Sequence, residues 1–126
     1  MREIITGEDL PKLGPYSPAV RVGQLIFVSA QAGVDPATGN VPDGGIEAEC
    51  RQALANLTHV LKAAGADLSH VVKATIFYTD LADLPTINRV WGEVFAVDPP
   101  ARAAAIVGLA GGRHISIDAT AVTTLK

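Results

Sequence analysis

One predicted helix, residues 46–64, limits the folds that this chain can adopt. Its apolar side chains recur every three or four residues and so form a single stripe along an α-helix. Glu47 and Glu49 lie in the first turn, Lys62 lies in the last, and Gly65 follows as a capping residue, as the dipole and capping rules expect. A helix with one apolar stripe covers one face of a sheet, so the segment favours a layered fold.

The rest of the chain consists of strand patterns, loops and one further helix. The second helix is predicted to begin near Asp83, an N-cap candidate, and to end before Asp98. Residues 7–18 and 33–45 are dense in glycine and proline and predict loops. Runs rich in β-branched, aromatic or alternating apolar residues predict strands at residues 19–22, 25–30, 71–79, 103–107 and 114–124.

This order predicts an α+β fold: one two-layer domain over residues 1–126, with a mixed β-sheet and two helices on one face. The other face of the sheet would carry small, semi-polar residues such as Ser116 and Thr120 and would be bare. Only 18% of the residues are charged, against a usual share of about 25%. We therefore expect further copies of the chain to cover the bare face.

The same sequence argues against several classes of protein. The longest weakly polar run, residues 103–112, is too short and too rich in glycine to span a bilayer, and residues 1–10 lack the apolar core of a signal peptide. The single cysteine, Cys50, forms no disulfide within the chain, which fits a cytoplasmic protein. The net charge of −3 and the scattered lysines and arginines argue against a nucleic-acid partner.

The sequence contains no metal-binding motif. His59, His70 and His114 have no ligand partner at a suitable spacing, and we expect surface or packing roles for them. Cys50 lies on the apolar stripe of the first helix, where a buried and inert thiol is expected. We therefore predict no metal ion and no thiol nucleophile.

Three features are candidates for chemistry, and each also has a purely structural interpretation. Arg102 opens an apolar strand pattern, where its guanidinium either pairs with a carboxylate of the protein or anchors a small carboxylate substrate. Asp118 lies in the middle of the last strand, where it either accepts backbone N–H groups or holds a water. Tyr16, in the stiff loop of residues 14–18, either packs as a cap over the sheet or presents its ring to a site.

Five segments, taken together, form a recognisable pattern. They are GPYSPAV (14–20), FVSAQAGVDPATG (27–39), LKAAGADLSHVVKATIFYTDLADLPTIN (61–88), PPARAAAIVGL (99–109) and ISIDATAV (115–122). In this order, and covering nearly the whole chain, they resemble the YjgF family, the reactive-intermediate (enamine/imine) deaminases called RidA.

The resemblance implies a chorismate-mutase-like α+β fold and a homotrimer with sites in the clefts between subunits. It also implies hydrolysis of 2-aminoacrylate and related 2-imino acids to 2-keto acids and ammonia, with no cofactor. The family arginine that matches Arg102 binds the substrate carboxylate, and the acidic residue that matches Asp118 helps to place the water. The residues that match Tyr16, Ser29 and Asn88 belong to the same substrate site.

Three positions depart from the family pattern. Ala30 replaces a glycine, Ala104 replaces a cysteine two residues after the arginine, and Asp118 replaces the longer glutamate. Backbone carbonyls near Ala30 and Gln31 are expected to help Asp118 hold the attacking water. The departures bear on substrate range and rate, because small displacements of a catalytic group slow a reaction.

Two other functions are open at this point. A non-catalytic trimer could bind a small carboxylate through Arg102 as a sensor, without turnover. An endoribonuclease or translation inhibitor, a label often given to relatives, is disfavoured by the net charge of −3 and the lack of a basic stripe.

Overall fold

Six β-strands and two α-helices make up the computed structural model, which describes residues 1–7, 9–10 and 14–123. The helices are α1 (Gly45–Ala63) and α2 (Leu84–Val94). Short 3₁₀ turns at Leu68–His70 and Leu81–Asp83 precede β4 and α2. The strands are β1 (Arg2–Ile5), β2 (Ala19–Val22), β3 (Leu25–Ala32), β4 (Val71–Tyr78), β5 (Ala101–Ile106) and β6 (Ile115–Val122).

The strands form one mixed sheet in the order β1-β2-β3-β6-β4-β5. Neighbouring strands run antiparallel except β4 and β5, which are parallel because α2 returns the chain across the sheet. The last strand of the chain, β6, therefore lies in the middle of the sheet. Its Ile115, Ile117, Ala119 and Ala121 are buried, while the residues between them are partly exposed, which confirms the predicted alternation.

Helix α1 packs against β3, β6 and α2 through its apolar stripe, on which Leu57 and Leu61 are fully buried. It begins after Gly44, whose φ of 116° lies in the left-handed region, and Gly65 follows its end with a φ of 82°. A side chain at either glycine would strain the backbone, so the two glycines stop the helix at both ends. The predicted bounds, residues 46–64, are correct to within one residue.

Helix α2 begins one residue after Asp83, as predicted, but the Asp83 side chain makes no capping hydrogen bond. Asp80 supplies the cap earlier in the chain: its Oδ1 accepts the backbone N–H of Ala82 at 2.9 Å and starts the 3₁₀ turn that leads into the helix. Pro85 is accommodated in the first helical turn. Within the described ranges, neither helix combines the length and the apolar character that crossing a membrane requires.

The face of the sheet away from the helices is open, as predicted, but it carries large apolar side chains besides the predicted small, semi-polar ones. Leu25 and Phe27 alternate with the buried Ile26 and therefore point away from the helices, with exposed fractions of 40% and 46%. Val22 pairs with Leu25 and is 44% exposed. Large apolar side chains grouped on one open face are typical of an interaction surface.

The structure differs from the sequence prediction by one additional strand and at several strand ends; β3, for example, continues two residues beyond the predicted residue 30. β1 was not predicted, because it is a short edge strand in which only Ile5 is buried and the apolar pattern is weak. β5 begins at Ala101 rather than residue 103, because its parallel pairing with β4 begins at Lys73 opposite Ala101. Arg102 therefore lies inside the strand and not ahead of it.

Two predicted segments reach beyond the described residues. Within the predicted loop at residues 7–18, residues 8 and 11–13 lie outside the described part, as does Thr124 of the predicted last strand. The predicted loop at residues 33–45 is confirmed and contains one isolated bridge, between Asp35 and Asn40.

Candidate active site

A groove of about 1170 Å³ runs between α1, the end of β3 and the loop that carries Tyr16. Tyr16, Ser29, Ala30 and Gln31 line it together. The Ser29 hydroxyl donates to the carbonyl of Ser17 at 2.6 Å, and the Gln31 side-chain amide donates to the carbonyl of Ser29 at 3.0 Å. The first bond ties the loop to β3 and the second lies within β3, so tertiary structure brings one part of the predicted site together.

A β-bulge in β3 places Ser29 and Ala30 opposite Asp118. The register between β3 and β6 shifts here, so that two residues of β3 face one residue of β6. On its other side, the Asp118 Oδ1 accepts the backbone N–H of Thr75 at 3.1 Å. The carboxylate is held by β4 through one oxygen, and among the described residues its second oxygen has no hydrogen-bond donor.

Arg102 lies in β5 and directs its guanidinium toward α2. Its Cζ is 5.5 Å from the centre of the Trp91 ring, a typical cation–π distance. Trp91 is only 5% exposed, and its ring lies 4.6 Å from that of Phe95, so the arginine rests on a packed aromatic surface. No hydrogen bond or ion pair joins Arg102 to another side chain or backbone group within the described residues. Its charge is available to a ligand.

Ala104 and Asn88 lie on the strand and the helix that carry Arg102 and Trp91. Ala104 follows Arg102 by two positions in β5, so both side chains point to one face of the sheet. Asn88 is exposed and lies about one turn before Trp91 in α2. We call these four residues, Arg102, Ala104, Asn88 and Trp91, the arginine cluster.

Within one chain, the structure does not bring the groove and the arginine cluster together. β6 and β4 separate β3 from β5, which corresponds to about 14 Å at the usual strand spacing. Arg102 is in register with Ala74, and Asp118 with Thr75. Because Ala74 and Thr75 are consecutive residues of β4, Arg102 and Asp118 point to opposite faces of the sheet.

The groove also contains polar residues that the sequence analysis did not assign to a site. Three of them recur at helical spacing on the polar side of α1, a pattern that by itself indicates only a solvated face. Ser116 could have been identified, because it precedes Asp118 by two residues in an alternating strand. The additional polar residues are Gln52, Asn56, His59, Arg113 and Ser116.

Each histidine pairs with a carboxylate, although the sequence spacing indicated no ligand partners. Among the described residues, no group of three histidine, cysteine, aspartate or glutamate side chains is arranged to hold a metal ion. Two of the pairs join distant segments, and the third, His70 with Asp67, belongs to the capping box of one 3₁₀ turn. The three pairs are His59 with Asp9 at 2.8 Å, His70 with Asp67 at 3.2 Å and His114 with Glu49 at 2.8 Å.

Cys50 is fully buried on α1, as expected. Burial raises the pKa of its thiol to about 11, and the thiol is therefore protonated at neutral pH. Since the thiolate is the reactive form, Cys50 is not a nucleophile of this site.

Similarity to known proteins decides the family. The family model described as endoribonuclease L-PSP matches residues 6–123. The chain belongs to this family, the YjgF/RidA family. This RidA-family chain is 44% identical to the 2-iminobutanoate/2-iminopropanoate deaminase of Bos taurus, over 97% of its own length and 90% of that protein. It is 40% identical to the Homo sapiens protein of the same name, with the same coverage.

Solved structures agree with this assignment. The RidA-family chain matches a putative endoribonuclease from Thermotoga maritima with a TM-score of 0.90 and 39% identity, covering 97% of this chain and 98% of that one. It matches TdcF of E. coli, solved with bound serine, with a TM-score of 0.90 and 33% identity, covering 97% and 99% of the two chains. The family predicted from the sequence motifs is confirmed.

Proposed function

We propose that this chain hydrolyses reactive 2-imino acids of the 2-aminoacrylate type to 2-keto acids and ammonia. The observation that carries the proposal is Arg102, a cation without a protein partner in the described part of the chain, held over Trp91. A guanidinium binds a carboxylate through two parallel N–H donors. Relatives named as 2-iminobutanoate/2-iminopropanoate deaminases support this reaction, and serine, bound in TdcF, is likewise a small carboxylate.

The reaction needs few protein groups, because an imine carbon is already electrophilic. Arg102 binds the carboxylate and orients the C=N bond. A water adds to the carbon, and the free oxygen of Asp118 takes a proton from the water and passes it to the imine nitrogen. In the resulting carbinolamine the hydroxyl proton moves to the amine nitrogen as the C=O bond forms and the C–N bond breaks, so that ammonia leaves and the 2-keto acid remains. Proton transfer of this kind contributes about 10²–10⁴-fold to a rate. None of these steps requires a cofactor.

The proposed site is assembled by two subunits of a homotrimer. One subunit contributes the groove and Asp118, and the next contributes the arginine cluster. Two findings support this arrangement: Arg102 and Asp118 point to opposite faces of one sheet, and the open face exposes Leu25 and Phe27. A substrate of three or four carbons is too short to join the two parts within one chain. Tyr16, 48% exposed at the edge of the groove, would then close the cleft against solvent.

The proposed unit is a single domain over residues 1–126, acting in the cytoplasm. The buried Cys50 thiol is compatible with a reducing compartment. Enzymes that release enamines and imines from amino acids would supply the substrate there.

The decisive experiment generates 2-aminoacrylate in situ with a pyridoxal-phosphate-dependent serine dehydratase and follows pyruvate formation. The wild-type protein is expected to accelerate hydrolysis, and Arg102→Ala is expected to lower the rate to that of buffer. Arg51→Gln, which removes the same charge from the exposed surface of α1, serves as the matched control and should retain activity.

Calorimetry with 2-ketobutyrate distinguishes the remaining alternative. If the wild-type protein binds the keto acid through Arg102 but hydrolyses 2-aminoacrylate no faster than buffer, the chain is a carboxylate sensor and the proposed reaction is wrong.

A further inference from the structure

An arginine outside the arginine cluster, Arg113, lines the groove. It does so together with Tyr16 and Ser29 and is partly exposed. Arg21 bonds Gly23, Ala64 and Thr123, and other arginines form ion pairs on the helices, but no hydrogen bond or ion pair engages the Arg113 guanidinium among the described residues. The Arg113 guanidinium therefore enters the groove without a bonded partner in the described part of the chain.

The backbone around Arg113 is held on both sides. Before it, Gly111 and Gly112 both have a φ of 70°, a left-handed conformation that turns the chain sharply. After it, the backbone N–H of His114 donates to the Glu49 carboxylate, and the His114 ring lies 2.8 Å from the same carboxylate. Glu49 is only 1% exposed, so this anchor lies in the core. The arginine is thus carried by a fixed segment and not by a loose loop.

Several other polar side chains of the groove are engaged within the protein, whereas the hydroxyls of Tyr16 and Ser116 make no hydrogen bond among the described residues. The Asn56 amide donates to the carbonyls of Ala32 and Val34 at 2.8 Å each, and its oxygen accepts from Gln52 at 2.9 Å. The acidic residue of the groove lining, Asp9, pairs with His59 at 2.8 Å. Arg113 is therefore the strongest hydrogen-bond donor left for a ligand, and a guanidinium favours a carboxylate or another oxyanion.

We infer that Arg113 determines substrate specificity by binding a second carboxylate, so that the groove accepts 2-imino acids with an acidic side chain, such as those formed from dicarboxylic amino acids. The inference rests on the proposed function, in which Arg102 of the next subunit binds the first carboxylate. A groove of about 1170 Å³ has room for a longer chain than 2-aminoacrylate. A substrate with a neutral side chain would leave Arg113 without a partner.

Two imines that differ only in this group provide the test. Amino-acid oxidases generate 2-imino acids in situ from L-glutamate and from L-norvaline, which has a methyl group in place of the side-chain carboxylate. Arg113→Gln is expected to lower kcat/KM for the glutamate-derived imine about 10- to 100-fold more than for the norvaline-derived imine, as loss of a charged hydrogen bond predicts. Arg113→Lys should retain part of the preference, and Arg51→Gln, outside the groove, should not alter it.

A binding measurement separates failure of this inference from failure of the proposed reaction. Calorimetry compares 2-ketoglutarate with 2-oxopentanoate, the two keto acid products. Tighter binding of the dicarboxylate that is lost in Arg113→Gln supports the inference even if neither imine is hydrolysed. Equal binding of the two acids, or a preference that persists in Arg113→Gln, overturns it even if the deaminase activity is present.

Discussion

The guanidinium of Arg102 lies 5.5 Å from the centre of the Trp91 ring, and this contact joins the edge strand β5 to helix α2. In the sequence, Trp91 belongs to the apolar stripe of its helix and has no evident role beyond packing. The tertiary structure gives the ring a second role, because it supports a cation that has no protein carboxylate beside it within the described residues.

Replacing Trp91 is therefore expected to weaken substrate binding. A cation–π contact contributes about 0.5–2 kcal/mol, so Trp91→Leu should raise KM about 2- to 30-fold, with a smaller change in kcat. Trp91→Phe keeps an aromatic face and should raise KM less. Steady-state kinetics compare the KM values of the two variants. The measurements are made at a temperature at which circular dichroism shows that both variants are folded. Equal KM values for the leucine and phenylalanine variants would contradict the positioning role.

Trp91 should also report ligand binding directly, because it is the only tryptophan in the chain. A carboxylate bound to Arg102 changes the electrostatic field over the indole ring. We expect titration with 2-ketobutyrate to change the intrinsic fluorescence in a saturable way. In Arg102→Ala the same titration should leave the emission unchanged, and a response that survives this substitution would show that the ligand binds elsewhere.

A site shared between subunits makes a strict prediction for mixtures of variants. Arg102→Ala and Asp118→Asn should each be inactive alone. Unfolding and refolding them together in equal amounts should restore about a quarter of wild-type activity, because that share of the interfaces pairs an intact arginine with an intact aspartate. Mixing the two without unfolding is the control. No recovery in mixed oligomers, with subunit exchange verified by native mass spectrometry, would refute the shared site.

The Glu49 carboxylate should be important for stability. It is buried, accepts the backbone N–H groups of His114 and Ile115, and contacts the His114 ring. Glu49→Ala leaves these donors without an acceptor and should cost about 2–4 kcal/mol in the free energy of unfolding. Glu49→Gln retains one acceptor and should cost less. Urea denaturation measures both, and Glu47→Ala, an exposed residue of the same helix, should have a much smaller effect.

An exposed ion network between the helices should make a small, pH-dependent contribution to stability. Arg89 and then Arg51 lower the pKa of Glu47, and Arg51 lowers the pKa of Glu93. A carboxyl with a lowered pKa stabilises the fold above its ordinary pKa, and this contribution is lost as the pH falls through the lowered value.

The double variant Glu47→Gln/Glu93→Gln tests this contribution. Near neutral pH its unfolding midpoint should lie below that of the wild type. The two midpoints should converge in acid, below the pH range in which carboxyl groups ordinarily titrate. The difference should also shrink in about 1 M salt, where the Debye length is short. A difference that grows in acid would contradict the assigned direction of the pKa shifts.

How far the fold could be predicted depended on how local its signals are. The bounds of α1 were correct to within one residue, because its stripe and its terminal glycines act within a few residues. β1 was missed, since only Ile5 of this edge strand is buried. The start of β5 was placed too late, because Ala101 enters the strand through pairing with Lys73, far away in the sequence.

The same distinction holds for the candidate site. Arg102 and Tyr16 were predicted as site residues from local features, and Ser29 from a family motif, because both kinds of signal are short and contiguous. Arg113 and Asn56 were not, because no local pattern marks a polar residue on an exposed face as the lining of a groove.

The sequence by itself determined the family, the α+β class, the two helices on one side of the sheet and the candidate arginine, because periodicity and contiguous motifs carry that information. Only the tertiary structure decided which residues meet. Inserting β6 between β3 and β4 sets the register that turns Arg102 and Asp118 to opposite faces, and the bulge in β3 brings Ser29 and Ala30 against Asp118. Local alternation shows which residues of one strand share a face, but which strands become neighbours, and in which register, depends on segments far apart in the chain.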